Sequence, residues 1–247
     1  MTNKVNIALF VSSANLSNQV LEKLIKLKKK LNIFLVVSDI KFKRKLDKNN
    51  IKYFKWVNSS NYNSSNIMKM LEIPKDKNLY AFSLQHKWKI TKDILEKFKI
   101  FFNFHFGELP KYRGHHPILH AILNNENFLY GTIHAIDEKL DNGKILTNVK
   151  VKNQNISSKD VEKLLAIKFA NSFENLIIRL IDKKKLVYKK IAKKEERFYS
   201  INSIQKLKKV KNFNEILSKA RAFDYEPHEP AYIEVKNTKI YLKLKPY

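Results

Sequence analysis

The sequence predicts an α/β fold with a mostly parallel sheet, followed by a small α+β appendage. Two observations carry this. The first strand-sized segments, VNIALFV (Val5 to Val11) and IFLVV (Ile33 to Val37), are apolar throughout and flank a helical segment. Continuous rather than alternating hydrophobicity marks strands covered on both faces, as in parallel sheets. Beyond about residue 190 the pattern changes to charge runs, one helix and a strand pair. The expected division is 1–190 for the main domain and 191–247 for the appendage.

Taken in order, Val5 to Val11 is a buried strand, and the polar SSAN follows, with Ser13 or Asn15 suited to cap a helix. Leu16, Val20, Leu24 and Leu27 recur at helical spacing, so the helix is expected over Leu16 to Leu31. Ile33 to Val37 is the second strand, and Tyr53-Phe54 falls in a short third. SSNYNSS (Ser59 to Ser65) reads as a polar loop, followed by a helix around Ile67 to Leu71 that stops near Pro74. LYAFSL (Leu79 to Leu84) is a strand with the loop Gln85 to Trp88 at its carboxyl end, and Thr91 caps a helix through Phe98. Ile100 to Phe104 is the next strand. Ile118 to Leu123 is a short helix after Pro117. Tyr130 to Ile136 and Lys144 to Val151 are strands joined by DEKLDNG. Ser157 or Ser158 caps a long helix to about Leu180. The appendage holds a helix near Phe213 to Ala220 and strands Tyr232 to Val235 and Lys239 to Leu244, turning at Asn237.

The first turn, SSANLSN, contains no glycine, so neither the GxGxxG dinucleotide fingerprint nor a P-loop is present although the architecture is Rossmann-like. The chain has no cysteine, which excludes disulfides and thiolate metal sites. Its apolar stretches are too short to span a bilayer and nothing resembles a signal peptide, so a cytoplasmic protein without a membrane is expected. The net charge of +26 is carried almost wholly by lysine, accompanied by many asparagines and isoleucines. That is codon bias of an AT-rich genome, and no nucleic-acid partner is expected. The same bias makes the five arginines informative: Arg113 and Arg221 lie beside turns where a guanidinium fork suits phosphate or carboxylate.

All four glycines (107, 114, 131 and 143) and five of the seven histidines fall between Phe101 and Leu146. Glycine is used where backbone turns sharply or approaches a ligand. Asn103 and His105 share one face of a strand end, where ligands bind in open α/β sheets. Asp141 follows in LDNG, whose Asn142-Gly143 suits the positive φ of a tight turn. An amide, an imidazole and a carboxylate together can polarise a carbonyl and move a proton. His116 and His120 are four apart, but HExxH and ligand-spaced carboxylates are missing, so no metal is expected.

Asn103-Phe104-His105, LPKYRG and TIHAIDEKLDNGKIL together resemble the N10-formyltetrahydrofolate-dependent formyltransferases, densely over Ile100 to Leu146 and more loosely over the first 190 residues. The resemblance implies Asn103, His105 and Asp141 as catalytic residues. Asn103 and protonated His105 would stabilise the oxyanion formed when an amine attacks the formyl carbon. Asp141 would hold His105 and help remove the amine proton. Gln85, His86, Lys87 and Trp88, with Ile136 and Asp137, would enclose the pterin of the co-substrate N10-formyltetrahydrofolate, without a metal.

HFGELPKYRGHHP, SLQHKWKIT and ARAFDYEPHEPAYIEV are most similar to sugar N-formyltransferases, which act on nucleotide-linked amino-dideoxy sugars destined for surface polysaccharide such as O-antigen. A dTDP-linked 4-amino-4,6-dideoxyglucose is the expected acceptor. Arg113 and His115 would meet the sugar nucleotide, and Tyr225, Phe223 or Tyr232 would stack on its base. Pairing through the tail into a homodimer is also implied. Methionyl-tRNA formyltransferases carry a larger C-terminal barrel and a serine-leucine pair where this chain has Gly107-Glu108. Glycinamide ribonucleotide formyltransferases lack the appendage. A catalytically silent binding protein would have no need of Asn103, His105 and Asp141.

Overall fold

The structure, a computed structural model, describes residues 4–50, 54–71, 79–189, 196–200, 202, 204–225 and 229–244. The expected stop at Pro74 lies outside these. The strands are β1 (Val5–Val11), β2 (Leu31–Val37), β3 (Phe54–Trp56), β4 (Leu79–Leu84), β5 (Ile100–His105), β6 (Arg113–Gly114), β7 (Phe128–Ala135), β8 (Ile145–Lys152), β9 (Phe198–Tyr199), β10 (Tyr232–Val235) and β11 (Thr238–Tyr241). Seven of them form one sheet in the order β3-β2-β1-β4-β5-β7-β8, and β6-β9 and β10-β11 form two small ladders. β1 pairs in parallel with β2 and β4, β2 with β3, and β4 with β5. Among the described residues no helix is long and apolar enough to cross a membrane.

The chain divides into two compact units. One comprises Met1–Phe104, Ile133–Thr147 and Ala166–Lys190; the other comprises His105–Thr132, Asn148–Leu165 and Ile191–Tyr247. The tail beyond residue 190 thus groups with two inserts from the middle of the chain.

In the first unit, Ile7, Ala8, Leu9 and Phe10 of β1 are fully buried, as an apolar run flanked by parallel neighbours must be. Phe10 packs with Phe98 and Phe101, and Phe82 stacks on Phe102 and meets Phe173 edge-on. Each such ring buried contributes roughly 2–3 kcal/mol.

The helix α1 (Asn15–Leu27) turns Leu16, Val20 and Leu24 inward. Its first residue follows an extended Ala14 without a side-chain cap, so neither Ser13 nor Asn15 fills that role. The helix ends four residues earlier than expected, because Lys28–Lys30 tighten into a 3-10 turn and β2 starts at Leu31. A run of three lysines offers no residue to extend the apolar stripe.

The helix α2 (Ile40–Lys48) was not anticipated. Its sequence IKFKRKLDK buries Phe42 and Leu46, four apart, and Asp39 caps it by accepting from the Lys41 N–H at 2.8 Å. α3 (Ser64–Leu71) follows the polar loop. α4 (Lys92–Leu95) is a single turn, shorter than the stretch to Phe98, and Thr91 makes no side-chain cap bond.

The second unit is built around Tyr112, Ile122, Leu129, Val161, Leu165 and Phe223. α5 (Pro117–Leu123) starts on its proline. Ser157 opens α6 (Ser158–Ile181): its hydroxyl accepts from the Asp160 N–H at 3.2 Å and donates to the Asp160 carboxylate at 2.9 Å. α7 (Ile216–Ala222) starts later than expected because Phe213–Glu215 form a 3-10 turn with Phe213 exposed. β10 and β11 join through Lys236 and Asn237, whose φ of 46° and 64° give the tight hairpin turn.

Arg221 does not face a ligand. It is buried, and its guanidinium donates to the Ile156 carbonyl at 3.0 Å, to Asn155 Oδ1 at 3.1 Å and to Asn153 Oδ1. It serves as a strut that fastens α7 to the segment preceding α6.

Candidate active site

β5 ends in Asn103 and His105, and β7 ends in His134 and Ala135. Asn103 Nδ2 lies 3.3 Å from His134 Nε2. The same Nε2 is 3.7 Å from Asp141 Oδ1, an attractive charge contact when the imidazole is protonated. His134 and Asp141 are both buried. Asp141 occupies the loop between β7 and β8 with φ 52°, so the left-handed residue of LDNG is Asp141 rather than Asn142 or Gly143. Gly143 has a different reason to be glycine: a Cβ there would lie 1.6 Å from the Ala135 carbonyl oxygen. Asp137 orders this loop, its carboxylate accepting from the Lys139 N–H and from Asn142 Nδ2, each at 3.0 Å.

His105, at the end of β5, donates from Nε2 to the Tyr112 carbonyl at 2.6 Å. Because that nitrogen is the donor, Nδ1 is the acceptor nitrogen of the neutral ring. Gly107 permits the arrangement, since a Cβ there would stand 2.8 Å from His105 Nε2 and 2.5 Å from Pro117 Cβ. Thr132 clamps the same turn, donating to the Gly107 carbonyl at 2.7 Å and accepting from the Leu109 N–H at 3.2 Å. The Tyr112 hydroxyl donates to Glu126 at 2.6 Å, and Lys111 pairs with that carboxylate at 2.5 Å. Arg113 enters the β6-β9 ladder through its backbone, and its guanidinium stands 3.6 Å from Glu196. His115 is exposed.

A second cluster lies where β1 and β4 end. His86 packs edge-on against Phe10 and beside Tyr62, which also meets Trp88. The Tyr62 hydroxyl, both His86 ring nitrogens and Trp88 Nε1 are buried without a hydrogen-bond partner of good geometry. Burial pushes the His86 imidazole down to about 4, with the Val11 backbone opposing weakly, and pushes the Tyr62 hydroxyl up. Orphaned polar atoms at this density are costly, and water or a polar ligand would complete their bonding. Serines rather than a glycine-rich turn shape the strand ends: Ser38 Oγ donates to the Val11 carbonyl and accepts from the Lys87 N–H, and Ser12 Oγ donates to the Gln85 carbonyl. Gln85 has φ 55°, and Lys87 pairs with Asp39 at 3.0 Å.

The sequence profile of the formyl transferase family matches residues 5–181. This chain belongs to that family. Formyl transferase relatives include the bifunctional polymyxin resistance protein ArnA of Wigglesworthia glossinidia brevipalpis, 36% identical over 85 residues, 34% of this chain and 12% of the relative. The methionyl-tRNA formyltransferase of Thermotoga neapolitana is 28% identical over 150 residues, 57% of this chain and 45% of the relative. The chain therefore spans less than half the length of these curated relatives. Among solved structures, a 4-N formyltransferase from Francisella tularensis superposes with a TM-score of 0.78 at 19% identity, covering 98% of each chain. An N-formyltransferase from Helicobacter canadensis in complex with folinic acid and dTDP-3-aminofucose has a TM-score of 0.70 at 21% identity, covering 96% of this chain and 86% of that one. These show a shared formyltransferase fold.

In this member of the formyl transferase family, Asn103 and Asp141 converge on His134, which sequence reasoning had not assigned to the site. His105 continues the strand that carries Asn103. Of the residues expected at the pterin, His86 and Trp88 join one cluster with Tyr62, Ile136 packs against the same apolar core as Tyr62 and Trp88, and the Asp137 carboxylate is engaged in its own loop. Of the residues expected at the nucleotide, Phe223 belongs to the core of the second unit, 1% exposed, and offers no ring face to a base. Tyr225 is half-buried with its hydroxyl toward Glu162, which together with burial raises its pKa. Tyr232 is half-buried, edge-on to Tyr241 with Lys239 over its ring. Among the described residues, no group of three or more His, Cys, Asp or Glu is arranged to hold a metal.

Proposed function

We propose that this formyltransferase moves the formyl group of N10-formyltetrahydrofolate to the amine of a nucleotide-linked amino-dideoxy sugar, with dTDP-4-amino-4,6-dideoxyglucose as the specific acceptor. The observation that carries the sugar assignment is the end-to-end correspondence, tail included, with the 4-N formyltransferase fold, at 98% of both chains. The Helicobacter protein, bound to folinic acid and a dTDP-linked 3-amino sugar, supports the same pair of substrates.

The acceptor amine attacks the formyl carbon, and the negative charge that develops on the formyl oxygen is met by an Asn103 N–H and by a proton on His105. Asp141 accepts the proton that the amine must lose; collapse of the tetrahedral intermediate then breaks the bond from the formyl carbon to N10, and N10 takes up a proton and departs as tetrahydrofolate. The orphaned donors and acceptors of Tyr62, His86 and Trp88 suit the polar edge of a pterin, which supports a folate bound at the ends of β1 and β4. Arg113 contributes a cation toward the diphosphate. The sugar product suits export into surface polysaccharide, and a homodimer joined through the tail is part of the same reading.

The curated sequence relatives include methionyl-tRNA formyltransferases, and the +26 charge suits an RNA acceptor, which makes tRNA the competing substrate. Mass spectrometry with N10-formyltetrahydrofolate and a panel of dTDP- and GDP-linked 4-amino sugars, a dTDP-linked 3-amino sugar, methionyl-tRNA and glycinamide ribonucleotide separates them. The expected result is one added formyl group on a dTDP-linked amino sugar. Transfer to tRNA alone overturns the proposal.

A further inference from the structure

We infer that His134 is a positioning residue for formyl transfer, acting through the Asn103 amide, and that Gly143 sets its tautomer. The inference rests on the reading of Asn103 as an oxyanion donor. The chain of contacts starts in the β7-β8 loop. A glycine at 143 lets the Ala135 carbonyl occupy space that any Cβ would fill, 1.6 Å from where that atom would stand. The Ala135 N–H donates to the Lys144 carbonyl at 2.9 Å, which ties the end of β7 to the residue before β8. His134 Nδ1 is 3.0 Å from this same carbonyl oxygen.

A carbonyl only accepts, so Nδ1 carries the proton and, in the neutral ring, Nε2 presents a lone pair. That lone pair is 3.3 Å from Asn103 Nδ2 and accepts one of its two N–H bonds; Asp141 Oδ1, 3.7 Å from the same nitrogen, lies beyond hydrogen-bond distance, so the amide is the nearer partner. The amide is thereby held with its nitrogen toward His134, and its second N–H is the one available to a substrate oxygen. Had the imidazole presented Nε2–H instead, the amide would turn its oxygen to His134 and its orientation would reverse. His134 is 2% exposed, so water does not compete for these bonds.

The test compares His134→Met, which fills the volume without an acceptor, with His134→Gln, whose Oε1 reaches toward the position of Nε2. Removing the orientation of one oxyanion donor costs on the order of 100-fold in kcat. His134→Met is expected to lose about that factor with KM for both substrates changed less than about threefold, because ground-state binding is not what the bond supplies. His134→Gln is expected to recover most of the loss. In the Asn103→Ala background, His134→Met is expected to add nothing further. A near-normal kcat in His134→Met, no rescue by Gln, or a further loss in the double variant overturns the inference while leaving Asn103 catalytic. A normal rate in Asn103→Ala overturns the catalytic reading of Asn103 and the inference with it.

Discussion

The Gly143→Ala substitution probes the loop by adding a single methyl group. The backbone at 143 is not in the left-handed region, so alanine suffers no conformational penalty of its own and the whole effect is contact. The new Cβ would lie 1.6 Å from the Ala135 oxygen and 2.7 Å from its carbonyl carbon, where real Cβ atoms stay beyond 3.0 Å. Backbone on one side must therefore retreat by about 1.4 Å, the difference between 3.0 and 1.6 Å. A shift of that size breaks the Ala135–Lys144 ladder bond and frees His134 Nδ1, at about 1 kcal/mol each, and adds about 1–3 kcal/mol of overpacking strain. The sum of about 3–5 kcal/mol corresponds to a Tm lower by roughly 6–20 °C for a chain of this length. Scanning calorimetry alongside single-turnover kinetics measures both consequences, and kcat is expected to fall on the order of 100-fold as the oxyanion donor loses its orientation. A variant with unchanged Tm and unchanged kcat refutes the reasoning, since the loop would then have absorbed the methyl group without moving the carbonyl. Asn142→Ala is the control: it removes one exposed hydrogen bond to Asp137 and leaves the carbonyl in place.

Five other substitutions test separate links. Asn103→Ala, His105→Ala and Asp141→Asn are each expected to lower turnover by about 100-fold or more while circular dichroism stays unchanged; a folded variant at full rate removes that residue from the mechanism. Arg221→Met should cost roughly 2–4 kcal/mol in urea denaturation, because three bonds from a buried guanidinium are lost, while kcat per folded molecule is preserved; a loss of activity without loss of stability would contradict a purely structural role. His86 and His120 are held down to about 4 by burial, below the ordinary value of 6.5. The unfolded chain therefore binds more protons between about pH 6.5 and 4, and stability falls as pH drops through that window. His120→Phe should flatten part of this slope in denaturation curves at pH 7 and pH 5, and an unchanged slope would refute the assignment of His120.

The sheet was legible because β1, β2, β4 and β5 are apolar over most of their length, and the hairpin because Asn237 marks its turn. What escaped has identifiable physical causes. α2 is written almost entirely in lysine, and its two core residues, Phe42 and Leu46, give one turn's spacing instead of a stripe. Phe223 and Arg221 looked like ligand contacts because aromatic and arginine side chains suit both tasks. Only packing shows that one fills a core and the other braces α7. Asn103, His105 and Asp141 stood out through glycine clustering and the spacing around them. His134 did not, since its significance depends on β7 lying next to β5 in the sheet, a long-range neighbour relation that no local period records. Tyr62 was hidden in the same way, as a single ring inside the polar run SSNYNSS whose neighbours His86 and Trp88 come from a distant loop.

The Asn142–Gly143 dipeptide also gives this protein a chemical age. Asparagine followed by glycine is the pairing most prone to deamidate, because the unhindered glycine nitrogen attacks the side-chain carbonyl to form a succinimide. Here the amide is restrained by its bond to Asp137. Hydrolysis to aspartate would set a second carboxylate against that of Asp137, and isoaspartate would lengthen the backbone by one methylene directly after Asp141. Stored protein should therefore lose activity in step with a gain of about 1 Da on the tryptic peptide containing this pair. The rate of that gain becomes a clock for how often the β7-β8 loop lets go of Asn142.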